Sequence, residues 1–224
     1  MRKYKLCFVL VCMMLFSTVM PVAADVLFSN PSMGVNAPTA YTISPTFVVW
    51  DDFNLSSNST LNSISFRGWT SSGAVATNVN WSIYADNSGS PGAGIYFGTN
   101  VPVTGTAAGY LGMAVYTVQD YVFSVGSRDL SAGAYWLSLS YAISSDNINY
   151  PNVYWEANDS LSGPYTPRNG IQYYSGGSMS PIDVDLVFSL NGTAGGTSPV
   201  PEPLSLLLLG LGLIGVAGVR RFRK

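Results

Sequence analysis

Ile182, Val184, Leu186, Phe188 and Leu190 fall at every second position, with Asp183, Asp185 and Ser189 between them. Side chains of a strand point alternately to its two faces, so this spacing buries one face and wets the other. The same period recurs in Ile64-Ser65-Phe66-Arg67 and in Val79-Asn80-Trp81-Ser82-Ile83. It returns with Tyr135, Leu137, Leu139 and Tyr141 around Ser138 and Ser140. Half-buried strands of this kind require an antiparallel sheet with one solvated face. Turn signals separate them: residues 86–92, Thr104-Gly105-Thr106, Ser131-Ala132-Gly133 and Ser175-Gly176-Gly177. About eight to ten short strands at these intervals predict an all-β fold, an antiparallel two-sheet β-sandwich that is jelly-roll-like. One domain over residues 25–190 accommodates every strand, and the Gly- and Thr-rich stretch 191–199 reads as a flexible linker.

Charge is segregated along the 224 residues. Arg2, Lys3 and Lys5 open the chain, and Arg220, Arg221, Arg223 and Lys224 close it. Between positions 25 and 199 three arginines stand against eleven aspartates and glutamates, a balance of −8. An acidic domain without lysine has little to hold a phosphate backbone, which excludes nucleic acid as a partner. Histidine is absent and the two cysteines lie at positions 7 and 12, so His- or Cys-ligated metals and Ser-His-Asp chemistry are excluded as well.

Both ends read as addresses. Residues 1–24 form a secretory signal peptide: a basic start, an apolar run over 6–20, Pro21, then Val22-Ala23-Ala24 before a cleavage between Ala24 and Asp25. Both cysteines leave with it, so the exported chain is held by its core alone. At the other end, Pro201-Glu202-Pro203 precedes an apolar run over 204–219 and the basic tail Arg220, Arg221, Arg223 and Lys224. A helix over that run reaches only about 24 Å against a hydrocarbon core of about 30 Å, a short transmembrane anchor. The basic cluster places the tail end on the cytoplasmic side, with the domain outside the inner membrane.

Pro201-Glu202-Pro203, the short Leu/Gly-rich helix and the Arg-rich terminus together resemble the PEP-CTERM sorting signal of Gram-negative bacteria. That resemblance implies an exosortase-like sorting enzyme as partner, removal of the hydrophobic tail, and delivery to the cell envelope surface or extracellular matrix. It also implies a setting of exopolysaccharide and biofilm. Further landmarks occur in order: Trp50-Asp51-Asp52-Phe53, the hairpin 83–92, residues 130–138, Val153-Tyr154-Trp155-Glu156 and residues 183–188. Their order resembles the β-sandwich domains often placed ahead of such tails, whose individual roles are mostly unassigned.

Three chemistries remain open for the domain. Asp183 and Asp185, two apart on a strand, would share a face at roughly 7 Å, within the range of a glycoside-hydrolysing carboxylate pair. Asp51 and Asp52 point to opposite faces, and Glu156 stands alone. Hard oxygen ligands in Asp86-Asn87-Ser88-Gly89 and Asp146-Asn147-Ile148-Asn149 make a structural calcium a candidate cofactor, although neither stretch has the full spacing of a calcium loop. Tyr150, Trp155, Tyr165, Tyr173 and Tyr174 crowd a stretch rich in Asn, Gly and Pro, and exposed rings beside amides suit sugar stacking. Trp50, Trp81 and Trp136 read instead as core or strand-packing residues. The expectation is therefore a non-catalytic surface or matrix protein that binds exopolysaccharide. A carboxylate-dependent glycan-cleaving enzyme and a purely structural adhesin, pairing through sheet edges, are the alternatives.

Overall fold

The computed structural model describes residues 24–37, 39–71, 73–146, 152–158, 170–174, 177 and 179–195. Strand β4 (Ser59–Thr70) is the axis of the first sheet. Strand β8 (Tyr116–Leu130) runs antiparallel along its whole length, from Ser59 opposite Leu130 to Thr70 opposite Thr117. The other side of β4 is shared. Strand β14 (Phe188–Ala194) covers Ser59 to Phe66, and β10 (Val153–Asn158) covers Gly68 to Thr70. Strand β7 (Thr104–Gly112) lies outside β8, and β1 (Asp25–Asn30) lies outside β14. Strands β2 (Thr39–Thr42) and β13 (Asp185–Leu186) flank β10.

The second sheet has the order β12 (Met179–Pro181), β11 (Ile171–Tyr174), β3 (Phe47–Leu55), β9 (Gly133–Ser144), β5 (Ala76–Asp86) and β6 (Pro91–Pro102). Every pairing is antiparallel, and among the described residues the only helical element is a 3-10 turn at Gly34–Asn36. The described residues are thus all-β in two antiparallel sheets. The inner faces carry the predicted alternation: Leu137 and Leu139 on β9, Trp81 and Ile83 on β5, Ile64 and Phe66 on β4 are all buried. Their rings interlock, with Phe28 5.1 Å and Trp155 5.7 Å from Phe188, and Phe66 stacked 5.3 Å from Tyr121. Such pairs contribute about 0.5–1.5 kcal/mol each beyond the area they bury.

Three local expectations give way. Residues 182–190 do not form one strand. The chain breaks at Val187, whose N–H donates to the Glu156 carbonyl (2.9 Å) and whose own carbonyl accepts from Arg67 N (3.2 Å) and Trp155 Nε1 (2.9 Å). The break lets the chain leave β10 and join β4. Asp183 lies before β13, exposed on left-handed backbone (φ 48°), while Asp185 on β13 is buried, so the two do not share a solvated face. Thr104-Gly105-Thr106 is not a turn but the start of β7; the sheet change occurs one residue earlier, at Val103. Finally, β14 continues through Ala194, into the stretch read as linker, by pairing Thr193 with Thr60 and Ala194 with Ser59, and Gly192 lies so close to the Thr60 carbonyl that no side chain fits there.

The signal segment 1–23, the motif Pro201-Glu202-Pro203, the anchor run and the basic tail lie outside the described residues. Among the described residues no helix is long and apolar enough to cross a membrane.

Candidate binding site

On the outer face of the first sheet the alternation places a row of small hydroxylated residues across neighbouring strands: Ser29 opposite Ser189, Ser189 opposite Ser65. One register step further along, Arg67 on β4 faces Asp120 on β8. Arg67 donates through Nε to Asp120 Oδ1 (2.7 Å) and through Nη2 to Oδ2 (2.8 Å), a two-pronged pair of charge-assisted bonds. Asp120 holds the guanidinium charged well beyond its ordinary range. After β1, residues 31–37 cross this face as a strap, and the space between strap and sheet is a groove of about 380 Å³. Ser29, Ser32, Ser65 and Ser189 line it with the Arg67–Asp120 pair and with Pro31 of the strap, while the rings of Phe66 and Phe188 below it are buried in the core.

The strap is fastened by Glu156. Its side chain lies on the outer face of β10 yet is 0% exposed. Trp69 Nε1 (2.6 Å) and the Tyr110 hydroxyl (2.7 Å) donate to Oε2, and the Ser32 hydroxyl donates to Oε1. A buried carboxylate is tolerated only when donors replace its water, and here three do. These donors come from β4, β7 and the strap, so one side chain joins three segments. Arg67 completes the arrangement, with Nη1 3.4 Å from the Tyr110 oxygen and its carbon 5.7 Å from the ring centre. Burial and the Glu156 carboxylate raise the Tyr110 phenol above its ordinary value, so it remains a donor at neutral pH.

The residues proposed from the sequence are not gathered into a site. Trp155 is 0% exposed in the core, with its ring against Phe188, so it has no free face for a sugar. Tyr173 and Tyr174 are neighbours on β11 and therefore point to opposite faces; Tyr174 packs 4.9 Å from Phe47. Tyr150 and Tyr165 lie outside the described residues. Trp81 belongs to the core, whereas Trp50 and Trp136 are buried on the outer face of the second sheet, where Trp50 meets Tyr84 edge-on at 6.5 Å.

The acidic candidates also have structural partners. Asp86 accepts from Gly89 N (3.1 Å) within the β5–β6 turn and from Trp136 Nε1 (2.8 Å); these donors lower its pKa. Asp51 faces the core and accepts from Leu186 N (2.6 Å), tying the second sheet to the first. Residues 147–149 of the second calcium candidate lie outside the described residues. Among the described residues no three Asp, Glu, His or Cys side chains gather as ligands of one ion.

The sequence reading missed the groove, the strap and the role of Glu156. One signal was present: Arg67 is one of only three basic residues between 25 and 199, and the alternation puts it on the solvated face. Its partner Asp120 is far away in sequence and only the register of β4 on β8 reveals it.

Residues 199–224 match the PEP-CTERM protein-sorting motif. The chain carries a PEP-CTERM sorting signal. That motif marks an exported protein that is membrane-anchored and then sorted by exosortase. No curated protein and no solved structure matches the chain. The PEP-CTERM assignment therefore covers the tail, while the sandwich must be read from its own residues.

Proposed function

We propose that this PEP-CTERM protein is a non-catalytic component of the cell surface or extracellular matrix, and that its jelly-roll-like sandwich binds exopolysaccharide in the serine-lined groove. The observation that carries the reading is the sorting motif at 199–224, which marks the domain for export and for sorting by exosortase; a polysaccharide surrounding is part of the proposal. The start of β1 supports export: Asp25 is the residue that cleavage after Ala24 would make N-terminal.

Binding in the groove follows from its chemistry. The Ser29, Ser65 and Ser189 hydroxyls offer donors and acceptors beside the Pro31 ring, a surface suited to a sugar's hydroxyl edge, while the Ser32 hydroxyl is spent on Glu156. Asp120, the acid that lines the groove, is engaged by Arg67 and serves to position it, while Glu156 lies buried under its three donors outside the lining. Each contact is weak, and display of many copies on one surface multiplies them.

The test uses residues 25–199, since every described strand pairs within Asp25–Ala194. The protein is passed over immobilised polysaccharides, including that of the host, and both retention and released reducing ends are recorded. Ser65→Tyr, which fills the groove, is expected to abolish retention while leaving the melting temperature within a few degrees. Sugar ends released by the unaltered protein would overturn the non-catalytic reading.

A further inference from the structure

Residues 87–119 contain no Asp, Glu, Lys or Arg, although the domain around them carries a balance of −8. This stretch comprises β6 and β7. Among the described residues each has a strand on one side only: β6 pairs with β5, and β7 pairs with β8. A single residue, Val103, joins them, and its N–H donates to the Thr77 carbonyl at 3.0 Å. The chain changes sheet there, so one side of the sandwich presents two open edges with no charge on either.

Open edges in soluble proteins are normally blunted by lysine, proline or an inward charge, because unpaired N–H and C=O groups template another strand. Strand β6 has Pro91 and Pro102 only at its ends. Register shifts at Val79/Trp81 and between Ile83 and Asp86 leave a regular stretch between them, Gly98 to Tyr96 opposite Trp81 to Ile83. Phe97 is the centre of that stretch and is 76% exposed, whereas Tyr96 is partly buried and donates its hydroxyl to the Asp129 carbonyl (3.0 Å). Ile95 of β6 is also exposed (39%), so two large apolar side chains of one open edge strand stand in water.

We propose that β6 pairs antiparallel with β6 of a second copy of this chain, centred on Phe97, extending the six-stranded sheet across a two-fold axis. The charge distribution selects this occupant. Two acidic copies repel over most of their surfaces, whereas β6 itself carries no charged side chain, so pairing strand to strand along it brings no charged β6 residues into register. An antiparallel strand pair is self-complementary about a two-fold axis, which gives a closed dimer.

Sedimentation equilibrium of residues 25–199 tests this directly. The expected result is a doubling of mass that develops over about 10–100 µM, as for a small interface. Phe97→Lys should raise the dissociation constant at least about tenfold with the circular dichroism spectrum unchanged. Should that variant fail to fold, hydrogen exchange on the unaltered protein at low and high concentration replaces it, with slowing confined to β6 amides expected. A protein monomeric to about 1 mM, a Phe97→Lys dimer as tight as the original, or slowing at β7 instead of β6 would each overturn the proposal.

Discussion

Asp51 shows how one side chain can be structurally useful and electrostatically costly together. Alternation along β3 sends it into the core beside Val49 and Phe53, where it is 1% exposed. Its carboxyl accepts from Leu186 N and Asp52 N, and both bonds favour the charged form. Burial outweighs them, helped by the nearby charges of Asp185 and Asp52, and raises its pKa well above the ordinary carboxylate value. A group whose pKa is higher folded than unfolded favours the folded state below its unfolded pKa and loses that contribution as pH rises through the folded value. Asp51 should therefore make the protein less stable between mildly acidic and neutral pH. Asp51→Asn keeps an oxygen for Leu186 N and removes the titration. Melting temperatures of both proteins from pH 4 to 7.5 should show the variant gaining steadily on the original as pH rises, by about 1.4 kcal/mol for each unit of raised pKa. Any fixed cost of the amide shifts the whole curve and leaves its slope intact. A constant difference across the range would mean that Asp51 does not titrate there.

At the scale of elements, the β7–β8 hairpin has an unusual turn. Val115 N donates to the Gly112 carbonyl (3.0 Å), and the two residues between them, Met113 (φ 45°) and Ala114 (φ 63°), are both left-handed. Two left-handed central residues define the tight turn that suits twisted strands, and Asn-Gly is its preferred sequence. Side chains with a β-carbon cost roughly 1–2 kcal/mol in that conformation. Met113→Asn with Ala114→Gly should stabilise the protein by about 1 kcal/mol, read as a rise of about 2–4 °C in melting temperature. A fall would show that the exposed Met113 packs against something that matters more than its backbone. This hairpin also marks the limit of what the sequence makes legible. Alternation is a local signal, so it located the strand around Leu137 and the two-sheet class. It failed at Val187, because that break depends on Glu156, Arg67 and Trp155 claiming one peptide unit from distant strands. It failed equally for Glu156, since a solvated face and a face under a strap have the same period. The sorting signal was legible in full because its parts are contiguous, whereas the groove exists only through register.

For the whole molecule, the position of the two chain ends matters most. Asp25 faces Gly192, and Gly195 N donates to the Asn58 carbonyl, so both ends leave beside the first residues of β4. The β7–β8 turn lies at the other end of β4, about 36 Å away at 3.3 Å per residue. Tethered through its C-terminus, the sandwich presents that far end outward. It leaves only residues 196–200 between Gly195 and Pro201, a reach of at most about 20 Å. The sorting motif implies processing by exosortase while the chain is anchored, and residues 196–200 set how far the motif stands from the sheet, so the segment before the motif should matter as much as the motif. Replacing Pro201, Glu202 and Pro203 by alanine should hold the precursor in the membrane fraction of a host that has the sorting enzyme. Deleting residues 196–199 should do the same by drawing the motif against the sheet, although it touches no residue of the tripeptide. Both variants should retain the melting temperature of the unaltered sandwich, because both changes fall beyond Ala194. Fractionation followed by mass measurement of the released chain reads each result. Normal release from the deletion variant would show that the enzyme needs no clearance from the domain. Normal release after the alanine replacement would remove the tripeptide from the recognition step altogether.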